Sequence, residues 1–132
     1  LEDRLVETPD DTDGWVRLAR AYDVLGQNKK ALEALANAAR SAPDDLDVQL
    51  SFLELILASG STSTDITRAT AALAAAKKIA PNNPQTLFFE GHLARLAGND
   101  GTARIAWTAL LKLMEPGSGP AKALEAEINK LN

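Results

Sequence analysis

The stretch 14-GWVRLARAYDVLGQNKKALEALANAARSAP-43 decides the fold. It offers no evident nucleophile, no metal-ligand cluster and no glycine-rich phosphate loop. What it does hold is spacing. Trp15, Leu18, Ala19 and Tyr22 stand at i, i+3, i+4 and i+7, which puts them on one face of a helix. Gly26 ends that helix, because a residue without Cβ enters the left-handed region with little strain. Asn28 is placed to cap the next helix. There Leu32 and Leu35, with the small Ala31, Ala34, Ala38 and Ala39, carry the buried face. Pro43 closes the pair, since it cannot continue a helix.

The pattern recurs. Pro9, Pro43 and Pro81 sit in the similar contexts TPDD, APDD and APNN, separated by 34 and 38 residues. Gly26, Gly60 and Gly98 keep the same two intervals, and Ala31, Ala69 and Ala103 show them in the reverse order. Every interval is 34, or 34 plus four, with the extra four between Gly60 and Ala69. A period of this length marks a helical solenoid. In the second unit Val48, Phe52, Leu53, Leu55 and Ile56 pattern one helix. Ser63 or Thr64 caps its partner, which runs through Leu73 and Ala76 toward Ile79. In the third, Asn83 caps, Pro84 takes the first turn, and Leu87, Gly91 and Ala94 repeat the face against Ala103, Trp107 and Leu110. The small residues are read as points of close helix approach and the large ones as filled slots. The expected architecture is all-α: one domain over 1–132, with repeats at about 12–43, 46–81 and 84–116. Amphipathic capping helices are expected at about 1–8, through Leu1 and Leu5, and about 118–131, through Leu124, Ile128 and Leu131. A solenoid needs such ends to cover its terminal apolar faces.

Composition agrees and narrows the function. Of 132 residues, 45% are apolar, enough for a core. The net charge is −4 and no basic cluster exceeds a pair (Lys29-Lys30, Lys77-Lys78), which disfavours nucleic acid. Apolar runs are too short to span a bilayer, so no membrane contact by this segment is expected. There are no cysteines, which excludes disulfides, thiolate zinc sites and cysteine nucleophiles. His92 is the only histidine and is read as surface or packing rather than as a metal or haem ligand. Titratable groups do not cluster as acid–base catalysis requires, so no enzyme, cofactor or metal is expected. The sequence starts at Leu1 rather than Met, and is read as part of a longer protein.

The segment from Trp15 to Pro43 resembles a tetratricopeptide repeat (TPR). Trp15, Leu18 and Tyr22 match the family's W-x2-L-G-x2-Y pattern, with Ala19 in place of glycine. Ala31, Leu35, Ala38 and Pro43 follow at the family's spacing, with Leu35 where an aromatic is usual. The second unit departs at Gln49, where Trp15 stood. The third departs at Glu90, although Gly91 matches. Asn83-Pro84, Leu87, Gly91, the Gly98–Gly101 turn, Trp107 and Leu110-Leu111 resemble more narrowly the last repeat of the C-terminal TPR domain of the cytochrome c maturation proteins CcmI (CycH) and NrfG. That resemblance implies a periplasmic chaperone, in a parent chain anchored to the inner membrane. It would hold the C-terminal peptide of apocytochrome c for the subunits of the haem-ligation complex.

In stacked repeats the first helix of each unit lines the concave face. The residues not used for packing there are Val16, Arg17, Arg20, Asp23 and Val24, then Leu50, Glu54 and Leu57, then Phe88, His92 and Arg95. An apolar stripe rimmed by charge suits an amphipathic helix or an extended peptide. Burying Leu50, Leu57 and Phe88 would supply about 4–8 kcal/mol before ordering costs, which predicts micromolar binding. Other readings stay open. Phe88 folds under the C-terminal helix if that cap tucks into the groove. Leu50 is core if Gln49 marks a register shift. Arg17, Arg20 and Arg95 form either a solvated face or a carboxylate grip. The competing function is an assembly scaffold without a cytochrome client.

Overall fold

The computed structural model describes Leu5, residues 10–59 and residues 62–131. Among these, seven helices follow one another without a strand: α1 (Thr12–Val24), α2 (Asn28–Ser41), α3 (Leu46–Ser59), α4 (Ser63–Ile79), α5 (Pro84–Leu96), α6 (Asp100–Lys112) and α7 (Gly119–Asn129). α1 packs on α2, α3 on α4 and α5 on α6; α2 also packs on α3, and α7 on α6. This is the order of a TPR α-solenoid. The chain divides into two compact units, Leu1–Ile79 and Ala80–Asn132, where the sequence reading expects one domain. The N-terminal cap at 1–8 lies outside the described residues except for Leu5, which is helical and fully buried. Gly60 lies outside them too.

The prolines and glycines work as local hydrogen-bond devices. At Ala42–Asp45 the Ala42 carbonyl accepts from Asp45 N–H (3.1 Å), and at Ala80–Asn83 the Ala80 carbonyl accepts from Asn83 N–H (3.2 Å). Each is a β-turn with proline at its second position, where the ring presets φ. The last residue of each turn then caps the next helix. Asp45 Oδ1 accepts from Val48 N–H at 3.2 Å, and Asn83 Oδ1 accepts from Gln85 and Thr86 N–H at 2.9 and 3.2 Å. Glu115-Pro116-Gly117-Ser118 is built alike, with Gly117 at φ 77° giving the type II form and Ser118 Oγ capping α7. Within the repeats, Gly26 (φ 73°) and Gly98 (φ 78°) complete matching Schellman ends. Gln27 N–H reaches back to Tyr22 O and Asn99 N–H to Ala94 O, both at 2.8 Å.

Two caps differ from expectation. Asn28 is the first helical residue of α2, not its cap, and Gln27 before it makes no side-chain capping bond. For α4 the cap is Thr62, one residue ahead of Ser63. Its Oγ1 accepts from Asp65 N–H (3.1 Å) while Asp65 Oδ2 accepts from Thr62 N–H (3.3 Å). The carboxylate that closes this reciprocal box fixes the start.

Gln49, at the position of Trp15 in the first repeat, is a polar residue only 3% exposed. Its Nε2 donates to the carbonyls of Ala39 (2.9 Å) and Ala42 (3.1 Å) at the end of α2. Ala39 O cannot be closed by the fourth residue on, because Pro43 has no N–H. The glutamine of the second repeat thus finishes the helix of the first. Tyr22, expected in the apolar face, is half-buried, with Lys30 Nζ 5.6 Å from its ring centroid.

In the second unit, Leu87, Ala103, Trp107, Leu110, Leu124 and Leu131 form one core cluster. The face of α7 read from Leu124, Ile128 and Leu131 is therefore the one that packs. Trp107 Nε1 donates to Phe88 O at 3.1 Å. Thr86, fully buried, has a hydroxyl oxygen with no hydrogen-bond partner among the described residues. A buried, unmade hydroxyl bond is unfavourable, and valine has the same shape without it. Thr86→Val is expected to stabilise the protein by about 1 kcal/mol, read as a higher urea midpoint with an unchanged slope.

Candidate peptide-binding groove

Between α1 and α3, in the first unit, lies a groove of about 370 Å³. α1 contributes Val16, Ala19, Arg20 and Asp23, and Leu35 of α2 adds to the lining. The far wall is Ser51, Glu54, Leu55 and Ala58 of α3. Ala19 and Leu35 are buried, Val16 and Leu55 half-buried, and the charged side chains are exposed. Arg20, Asp23 and Glu54 form no ion pair or side-chain hydrogen bond among the described residues. The groove therefore has an apolar floor and charges of both signs waiting at its rim.

Of the eight residues expected here from α1 and α3, Val16, Arg20, Asp23 and Glu54 come together. Leu50 does not: it is 6% exposed, so the expectation of an exposed anchor is corrected. α3 buries a broad face that includes Val48, Gln49, Leu50, Phe52, Leu53 and Ile56. Gln49, turned inward to the end of α2, carries Leu50 in beside it. Leu57 is half-buried and outside the groove, and Val24 is 87% exposed beyond its end. Arg17 points away, with Nε donating to Asp13 O (3.4 Å) on its own helix. Leu55, assigned to the core from its spacing, lines the groove instead. The reason is geometric. A step of 34 residues finds the same side of the next helix, whereas a groove is lined by the two sides that face each other. Ser51, Leu55 and Ala58 could have been found by that rule.

Phe88, His92 and Arg95 lie together on α5 in the second unit. Phe88 is 45% exposed, edge-on to Phe89 (5.5 Å) and stacked with His92 (6.1 Å between ring centroids). Arg95 is not unpaired. Its Nη1 meets Glu127 Oε2 of α7 at 2.7 Å, and Lys130 Nζ meets Glu127 Oε1 at 3.3 Å. Arg95, then Lys130, hold the Glu127 carboxyl below the usual range. Partial burial pulls His92 below its ordinary value, neighbouring Arg95 adds to this, and Glu127 offsets part of it.

That shift has a sign. An unfolded histidine takes up its proton near 6.5, while the folded one resists it. Below that point the unfolded chain binds more protons, so stability falls with acidification. Urea unfolding from about pH 7 to about pH 5.5 should show a steeper loss for the wild-type chain than for His92→Gln.

A second depression, of about 390 Å³, lies between α2 and α4 over Ala36, Ala39 and Ala72. Its Arg68 is already satisfied by Glu33 (2.6 Å), so it presents less unmet charge than the α1–α3 groove. Among the described residues no three His, Cys, Asp or Glu side chains are grouped to hold a metal ion. No helix there is long and apolar enough to cross a membrane.

The succession of helical hairpins agrees with comparison to known proteins. The family model described as the cytochrome c-type biogenesis protein H TPR domain matches residues 1–120. A comparison with curated proteins finds no match. The chain therefore belongs to the TPR-domain family of cytochrome c-type biogenesis protein H, a family with a role in c-type cytochrome maturation.

Proposed function

We propose that this domain is a periplasmic chaperone module. It holds the C-terminal segment of an unhaemylated c-type cytochrome in the α1–α3 groove and presents it to the haem-ligation subunits. The observation that carries this reading is the groove itself. A trough with a floor of Ala19, Leu35 and Leu55, edged by Arg20, Asp23 and Glu54, which are unpaired among the described residues, is what an amphipathic segment needs. Few apolar contacts and a mobile ligand that must be ordered give modest affinity. Modest affinity suits a client that must be handed on.

Calorimetry with synthetic C-terminal peptides of c-type cytochromes tests this. Dissociation constants in the micromolar range are expected. Ala58→Arg should weaken binding by about tenfold or more, about 1.4 kcal/mol, with thermal stability retained. Ala58 is exposed in the last turn of α3, where a cation suits the helix end but its long side chain fills the groove. Absence of binding, together with association on raising concentration in sedimentation, would favour the assembly-scaffold reading instead.

A further inference from the structure

The groove is not electrically even. It runs toward the C-terminal ends of both its helices: Asp23 stands in the last turn of α1 and Ala58 in the last turn of α3. Helix C-termini carry partial negative charge from their unpaired carbonyls. Neither last turn contains a basic residue to offset it. Asp23 and Glu54 add two carboxylates, neither of which is partnered among the described residues. Arg20 is the single cation of the lining, one turn further from that end than Asp23. Asp23 and two helix ends of the same sign meet at one end of an apolar trough, and Glu54, one turn back and level in the repeat with Arg20, adds a second carboxylate beside them.

We infer that the segment received by this groove is an amphipathic helix bearing a lysine or arginine beside its apolar stripe, with that cation seated against Asp23, Glu54 and the last turns of α1 and α3. This rests on the α1–α3 groove being the peptide site. The lining spans Val16 to Asp23, about 10 Å along a helix. That length matches the i to i+7 stripe of a ligand helix. A charge-assisted contact at the edge of an apolar site is stronger than a neutral one, and it weakens with salt where it is exposed. The cation supplies orientation as well as affinity, because only one direction of the ligand helix places it at the acidic end.

The test uses the whole chain and one host peptide, acetylated and amidated, with leucines at i, i+3, i+4 and i+7. A single position beside the stripe is Lys, Gln or Glu. Binding is followed by fluorescence anisotropy at low salt and at about 1 M salt. The Lys peptide should bind about tenfold more tightly than the Gln peptide, and the Glu peptide most weakly. The advantage should vanish in Asp23→Asn/Glu54→Gln and in high salt. Both side chains are exposed and have no partner among the described residues, so the double variant should keep the fold. Equal affinity for the three peptides would overturn the inference, as would a lysine advantage that survives the double variant. If none of the three binds while the chain is folded, the groove is not a peptide site and the proposed function falls with the inference.

Discussion

Replacing Gly91 with alanine is expected to destabilise the protein by about 2–3 kcal/mol, the upper part of the range for a forced overpacking. Helix propensity alone predicts the opposite, because alanine is better than glycine inside a helix by about 1 kcal/mol. The contact decides. A Cβ on Gly91 would run into the five-membered ring of Trp107, with Cε2 only 2.6 Å away and Nε1 and Cδ1 closer still. Trp107 has little room to give: it is 2% exposed and its Nε1 is tied to Phe88 O. A double-mutant cycle separates the two terms. In a Trp107→Leu background the obstacle is gone, so Gly91→Ala should be near neutral or mildly stabilising. The coupling between the sites should then reach about 2 kcal/mol. Additive urea midpoints would show that the ring and the glycine do not meet.

Gln49→Leu should lower stability by about 1–3 kcal/mol even though leucine is more apolar and the site is buried. The Ala39 carbonyl would lose the donor that replaces the missing N–H of Pro43, and the Ala42 carbonyl would keep only Asp45 N–H. Gln49→Glu should be worse at neutral pH. It sets a buried carboxylate against two carbonyl oxygens, and its deficit should shrink in acid as the group protonates. An unchanged urea midpoint for Gln49→Leu would mean that the glutamine bonds contribute nothing to the fold.

Much of the fold was legible because it is written in local devices. Proline, the Asp or Asn after it, and glycine each act within four or five residues. Their positions therefore named the hairpins and most of the helix ends. Of the caps that were misplaced, Thr62 is chosen over its polar neighbours by its reciprocal partner Asp65, whereas Gln27 makes no side-chain bond and so leaves no capping signal to read. Gln49 was visible only as a departure from the repeat, because its role depends on a proline six residues earlier and on tertiary contact. The groove was half legible. Val16, Arg20, Asp23 and Glu54 followed from the helix face, but Leu50 and Leu55 exchanged places. Repetition along a chain says which residues are equivalent, and it is silent about which ones look at each other.

The turn that joins α2 to α3 opens the next helix within Ala42–Asp45, and Glu115–Ser118 does the same before α7. Such a joint is self-sufficient: it draws its hydrogen bonds from its own four residues and the first turn that follows. Nature, or an engineer, could splice a hairpin in at such a seam, provided that at Ala42–Asp45 the inserted first helix also carries a glutamine to close the Ala39 carbonyl. The extra four residues sit elsewhere, mostly in the first turns of α4, whose 17 residues make it longer than α2 at 14. Length has been let out within a hairpin while the seam was kept, as a tailor alters a panel and leaves the stitching alone.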